Sequence, residues 1–261
     1  MCLILVAWRA REDLPLVVAA NRDEWRERPT EPARWWPGEP RLLAGRDLRA
    51  GGTWMGVTRE GRFAAVTNFR DPTERRSTAR SRGMLVTGFL LGADTPRDFL
   101  ASVATRAREY NAFNLIAGDG NSLWCYGSRD GPPREIEPGI HGLSNHVLDE
   151  PWPKVVRGRE AMRAALALTD PVPALFDFLS DASSAHDNEL PGTGVGLEWE
   201  RRLSSALITG DDYGTRASTV LTVGRSSGMR FEERTRGPRG EVTGSTVDGE
   251  PTAHSGHPTL A

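Results

Sequence analysis

The chain opens on two short apolar runs, Cys2–Trp8 and Leu16–Ala20, with the charged stretch Arg9–Asp13 and then Leu14-Pro15 between them. A continuous apolar run of this length, bounded by turn residues, reads as a strand buried on both faces. Two such runs joined by so short a connection form an antiparallel hairpin that begins at the second residue. A sheet built around such a hairpin needs cover on both sides, and this requirement decides how the rest of the sequence can be used.

Later segments supply the cover. Arg28–Pro40, rich in Pro and Trp, reads as irregular. Trp54–Arg59 and Arg62–Phe69 form a second hairpin that turns at Glu60-Gly61. Arg82–Gly92 and Asp98–Tyr110 read as helices, the latter introduced by Thr95 as N-cap and Pro96 at the first helical position. Strands return at Phe113–Gly118, Leu123–Tyr126 and Ile140–Ser144. Lys154–Leu168 and Pro171–Leu179 are helical, the second capped by Asp170, and Ala182–Gly196 is a loop. Ala217–Val223 and Met229–Glu233 make a last hairpin. Blocks of strand hairpins alternating with blocks of helices predict an α+β protein with antiparallel sheets rather than a parallel βαβ fold. Two sheets stacked face to face with helices outside each would bury every sheet face. One domain over residues 2–235 is expected, followed by a disordered tail over 236–261, where Gly, Pro, Ser, Thr and charge replace apolar residues.

Composition removes several classes of function. Lys+Arg 33 against Asp+Glu 35 leaves a net charge of -2, so no global field favours nucleic acid. No stretch approaches the roughly 20 apolar residues of a spanning helix. Two cysteines, Cys2 and Cys125, make no disulfide framework and fit a reducing cytoplasm. Lys154 is the only lysine.

Cys2 is the residue with chemical promise. Removal of Met1 would leave a thiol and a free α-amine on the same residue. An α-amine titrates at about 7.7–8.0, close to working pH, and can therefore take and return a proton. Position alone equally fits an inert buried cysteine at the start of a strand. The polar run Asn21-Arg22-Asp23-Glu24 follows the second strand, where the hairpin brings it back beside the chain start.

Together, Met1-Cys2-Leu3-Ile4 and Ala19-Ala20-Asn21-Arg22-Asp23-Glu24 resemble the NRDE-motif family, also called the transport and Golgi organisation family. Gly51-Gly52-Thr53-Trp54-Met55-Gly56, Thr67-Asn68-Phe69, Ser81-Arg82-Gly83, Tyr110-Asn111-Ala112-Phe113-Asn114-Leu115, Gly142-Leu143-Ser144-Asn145 and Tyr213-Gly214-Thr215-Arg216 match it in order. The resemblance covers roughly residues 2 to 235, and the combination is far more specific than any one piece. That family is in turn similar to the choloylglycine hydrolase and penicillin acylase branch of the N-terminal-nucleophile (Ntn) hydrolases. The resemblance implies a four-layer αββα sandwich and an amidohydrolase acting on a non-peptide C–N bond of a small molecule through a thioester on Cys2.

Carried over residue by residue, it implies a catalytic set of Cys2, Arg22, Asp23, Asn68, Asn145 and Arg216. Asp23 would hold the terminal amine, Arg22 and Arg216 would favour the thiolate, and Asn68 and Asn145 would donate to an oxyanion. Gly52 and Thr53 would let backbone approach the pocket while Trp54 lines it. Glu24 completes the signature without an assigned role. The family's links to haem handling and lipid metabolism imply an alternative, a carrier that receives a flat or amphipathic ligand such as haem in the same pocket without turnover. Otherwise no cofactor is expected.

Three other features carry no such chemistry. Gly224-Arg225-Ser226-Ser227-Gly228 has the spacing of a serine-hydrolase elbow, but strands on both sides make it a hairpin turn. His141 and His146 lack the spacing of a metal pair, and no metal site is expected. Cys125, between Trp124 and Tyr126, reads as core packing.

Overall fold

The computed structural model describes residues 2–73 and 76–251. In chain order the elements begin with β1 (Cys2–Trp8), β2 (Leu16–Trp25), β3 (Thr30–Trp36), β4 (Glu39–Asp47), β5 (Met55–Thr58) and β6 (Phe63–Asn68). Helices α1 (Gly83–Leu91) and α2 (Pro96–Thr105) follow, then β7 (Phe113–Gly118), β8 (Leu123–Gly127), β9 (Arg134–Glu135) and β10 (Gly139–Leu143). The chain continues through α3 (Pro153–Leu166), α4 (Val172–Leu179) and α5 (Leu197–Leu203), and ends in β11 (Tyr213–Gly224), β12 (Gly228–Arg236), β13 (Val242–Val247) and β14 (Glu250–Pro251).

Two seven-stranded sheets result, ordered β10-β1-β2-β11-β12-β13-β14 and β3-β4-β5-β6-β7-β8-β9. Every pairing between neighbouring strands in them is antiparallel. Because side chains alternate across a strand, β1 divides its apolar residues between two cores. Ile4, Val6 and Trp8 pack between the sheets against Val57, Phe63 and Ile116, whereas Leu3, Leu5 and Ala7 face Val155, Met162 and Phe176 of α3 and α4. On the far side Leu85, Phe89, Phe99 and Val103 of α1 and α2 cover Leu42, Ala64 and Leu115. The outcome is the α+β four-layer αββα sandwich expected from the element order. The opening hairpin pairs Cys2 with Arg22 through Trp8 with Leu16, as its two apolar runs predict.

The expectations need correction where polar residues join strands. Residues 30–36, read as irregular, form β3 despite Pro32. A strand at the sheet edge tolerates proline, and the register shifts between Glu31 and Arg34 around it. Asn21–Trp25 continues β2 rather than following it, because β11 pairs with it as far as Tyr213 opposite Trp25. The stretch from 236, read as a disordered tail, holds β13 against β12 and the short β14 beyond it. Residues 252–261 lie outside the described residues. The second helix ends at Thr105 instead of Tyr110, and α5 follows the long loop; Thr95 caps α2 as expected, accepting from the Asp98 N–H at 3.2 Å. Gly224 pairs with Gly228, so the elbow-like segment is a hairpin turn.

One glycine couples the layers by close approach. A Cβ on Gly52 would lie 2.6 Å from the Gly83 carbonyl carbon and 2.9 Å from the Met84 nitrogen, main-chain atoms at the start of α1. Gly52→Ala is therefore expected to force the loop and helix apart and lower stability by about 2 kcal/mol, in the range of overpacking substitutions. Urea unfolding at an unchanged m-value checks it.

Candidate functional site

The site forms where β1 begins, because the hairpin register places three expected residues there. Cys2, half-buried, lies directly opposite Arg22 on β2, and Asp23 is next along. On the other flank β10 pairs with β1, which brings Ser144 and Asn145 to the same end. The Ser144 hydroxyl donates to the Cys2 carbonyl at 3.2 Å. Asn145 is wholly buried, and its Nδ2 donates to the Asn68 carbonyl at 2.9 Å, which fastens the end of β6 in the second sheet to the start of the first.

Strand alternation sends the side chains of Arg22 and Asp23 to opposite faces. Arg22, on the inter-sheet side with Cys2, stacks its guanidinium 4.3 Å from the Trp54 ring and lies 3.7 Å from Glu24. Trp54 in turn fits only because position 45 is glycine: a Cβ there would come within 2.5 Å of two ring carbons. Cys2, Arg22, Trp54, Met55 and Val66 enclose a space of about 10 Å³, enough for one water. Asp23, on the helix side, accepts from the Thr215 hydroxyl at 2.7 Å.

Arg216 lines a small space together with Arg22 and Trp54. It occupies the irregularity between Thr215 and Ala217 in β11 and donates to the carbonyls of Trp25, Arg26 and Arg28 at 3.0 to 3.2 Å. Its charge is engaged in closing the segment that follows β2. Gly52 and Thr53 also serve packing, since the Thr53 hydroxyl turns back onto the Met55 carbonyl at 3.0 Å. Trp54 alone of that trio faces Cys2. Glu24, without a role in the sequence, lies 3.7 Å from Arg22 and 3.8 Å from Arg28.

Electrostatics also depart from expectation. Burial pushes the Cys2 thiol above its ordinary value and Asp23 adds to this, while Arg22 and the Asp23 main-chain N–H oppose it. The group is a thiol at neutral pH, so attack needs a base. Burial likewise raises the Asp23 carboxyl, with Lys154 pulling it down. Cys125 is core, as expected, and burial pushes its thiol up to about 11.

Several neighbours escaped the sequence reading. Lys154, in the first turn of α3, is 1% exposed, and its ammonium has no hydrogen-bond partner among the described residues. Burial pushes its pKa down to about 8, against the influence of Asp23. Arg70, just beyond β6, forms a buried ion pair with Glu200 at 2.6 Å and lies over the Trp152 ring. A cavity of about 490 Å³ opens alongside, walled by Trp25, Phe69, Trp199 and Tyr213 with Asn68, Arg70 and Glu24. Being the only lysine was the one signal in the sequence that marked Lys154.

The architecture is the four-layer αββα sandwich that the resemblance implies. It superposes on the Caenorhabditis elegans N-acylethanolamine-hydrolyzing acid amidase ortholog with a TM-score of 0.52 at 9% identity, covering 87% of this chain and 95% of that one. Residues 1–238 match the family described as Transport and Golgi organisation 2. The mouse Transport and Golgi organization 2 homolog is 32% identical over 256 residues, and the bovine homolog 34%, each comparison spanning 90% of this chain and 92% of the relative. The chain belongs to the Transport and Golgi organisation 2 family. Among the described residues no helix is long and apolar enough to cross a membrane.

The Lys154 shift has a thermodynamic consequence. The folded protein holds this proton less tightly than the unfolded chain, so it binds fewer protons between pH 8 and 10.5. Stability from this group is present above pH 10.5 and lost as pH falls through 8. Wild type is expected to gain on the order of 3 kcal/mol relative to Lys154→Met across that window, as read by urea unfolding at stepped pH.

Proposed function

We propose that the protein is an amidohydrolase in which Cys2, made N-terminal by loss of Met1, cleaves a non-peptide amide of a small molecule. The observation that carries this reading is the pairing of Cys2 with Arg22, with Asp23 beside it and the Ser144 hydroxyl on its carbonyl. It surrounds the first strand residue with polar groups that a packed core does not require.

The thiol is protonated at rest, so the α-amine of Cys2 takes the sulfur's proton as Sγ bonds to the substrate carbonyl carbon. The oxyanion is met by side-chain N–H groups, at about 3 kcal/mol per well-placed donor. Asn145 offers one N–H, its other being held by the Asn68 carbonyl. The ammonium then protonates the leaving nitrogen as the C–N bond breaks, giving a thioester. Water attacks that thioester, the α-amine takes a proton from the water, and returning it to sulfur restores the thiol as the acid departs. Asp23 orients the amine throughout. Arg22, close to Cys2, lowers the cost of negative charge on sulfur.

A second reading, a carrier for haem or a lipid-like ligand, draws on the aromatic wall of the 490 Å³ cavity, since Cys2 is absent from that lining. Saturable haem binding, unchanged in Cys2→Ala and without turnover of any amide, would favour it.

For the hydrolase, intact mass is expected to show Met1 removed. Incubation with a library of amides and thioesters should leave an acyl adduct on Cys2, with none on the buried Cys125. Cys2→Ala should abolish the adduct, and Asp23→Asn should slow its formation by roughly 100-fold, the lower end of general acid–base effects. A retained Met1, or equal labelling of both cysteines in the folded protein, would sink the reading.

A further inference from the structure

We propose that Lys154 is a positioning residue of this site: its ammonium is the counter-charge that keeps the buried Asp23 carboxylate ionised and so able to hold the α-amine of Cys2. The assignment rests on the hydrolase reading for its catalytic consequence, while the burial of both groups stands on the structure itself.

The placement of Lys154 is unfavourable on three counts. It is 1% exposed, its Nζ makes no hydrogen bond among the described residues, and it occupies the first turn of α3, where the helix dipole opposes a cation. Such a group persists where a negative charge answers it. The groups facing it are Asp23 on β2, Arg70 beyond β6 and Cys2 on β1, and the strongest favourable influence among them is Asp23. Around this set, Glu200 on α5 pairs with Arg70, and the buried phenol of Tyr213 on β11 lies near Asp23, Cys2 and Glu24.

The other cations near this carboxylate have partners of their own or lie on the far face. Arg70 is engaged by Glu200 at 2.6 Å and by the face of Trp152. Arg22 points to the opposite face of β2, toward Glu24 and Trp54. Lys154 is thus a buried cation on the helix side without a hydrogen-bond partner of its own among the described residues, and the charge with the strongest stabilising influence on Asp23. The identity of the residue fits the same demand. Every other one of the 33 basic residues is arginine, yet a guanidinium brings five donors in a rigid fork that a dry pocket cannot satisfy. A compact ammonium on a flexible stem delivers charge alone.

The test uses the uniqueness of the lysine. Protein labelled with [13Cε]lysine gives one side-chain resonance, whose midpoint is expected near pH 8 in wild type. In Asp23→Asn the midpoint should fall by about one unit or more, because the cation loses the group that stabilises it. A midpoint that does not move in folded Asp23→Asn overturns the pairing, and this comparison needs no variant at Lys154. In Lys154→Met, the acid limb of Cys2 acyl-adduct formation should move to higher pH by about one unit or more, since Asp23 then ionises later. An equal loss of rate at every pH would instead mark a merely structural lysine and overturn the positioning role. If Lys154 responds to Asp23→Asn while no adduct forms at any pH, the counter-charge stands and the hydrolase reading fails. If adducts form normally and Lys154 is indifferent to Asp23, the reverse holds.

Discussion

A carboxylate buried inside a strand is the demand around which this molecule is arranged. Asp23 is 1% exposed in the middle of a seven-stranded sheet, where an uncompensated charge would cost several kcal/mol. Three distant parts of the chain converge on it. The irregularity in β11 turns Thr215 onto its oxygen at 2.7 Å, the first turn of α3 brings Lys154, and β1 runs beside it. A site so expensive to assemble is poorly explained by stability, because apolar side chains there would extend the core already formed by Ala19, Val17 and Phe176.

The same sheet separates charge from sulfur. Arg22 and Cys2 share the inter-sheet face, and Asp23 faces the helices, so the strand itself stands between the carboxylate side chain and the thiol. Asp23 consequently acts on the main-chain end of residue 2, where the α-amine would be, and raises the thiol's pKa instead of activating it. This geometry explains why a burial-raised thiol is compatible with nucleophilic chemistry. In the proposed mechanism proton transfer to the amine accompanies attack, so that no standing thiolate is required.

Local pattern was legible wherever a residue's neighbours are also near in sequence. The opening hairpin, the Thr95 cap, the turn at Gly224–Gly228 and the burial of Cys125 all follow from short-range sequence. The quartet motif was legible as chemistry, though its place inside β2 depended on β11, which arrives nearly 200 residues later. Arg70 and Glu200 are 130 positions apart, and no spacing links them. In an arginine-rich sequence with one lysine, the lysine was visible, but its meaning needed the helix that buries it. The edge strand β3 and the outer strands β13 and β14 were hidden because positions at and near a sheet edge tolerate the proline, glycine and polar residues that ordinarily signal loops.

Size sets a further constraint on the chemistry. The space enclosed at the Cys2 side chain is about 10 Å³, whereas the neighbouring cavity is about 490 Å³ and has Asn68, Glu24 and Tyr213 on its wall. In the hydrolase proposed above, a substrate filling the larger space would reach residue 2 from the side where the Asn68 carbonyl holds Asn145. Trp54, fixed by Arg22 and by the missing side chain at Gly45, walls the smaller space. On the larger space, Trp25, Trp199 and Tyr213 pack edge to face and form a preassembled apolar surface. On the proposed hydrolase reading, affinity would come from the larger space and chemistry from the smaller, and a ligand held in the first would gain reactivity only by presenting its carbonyl to Cys2.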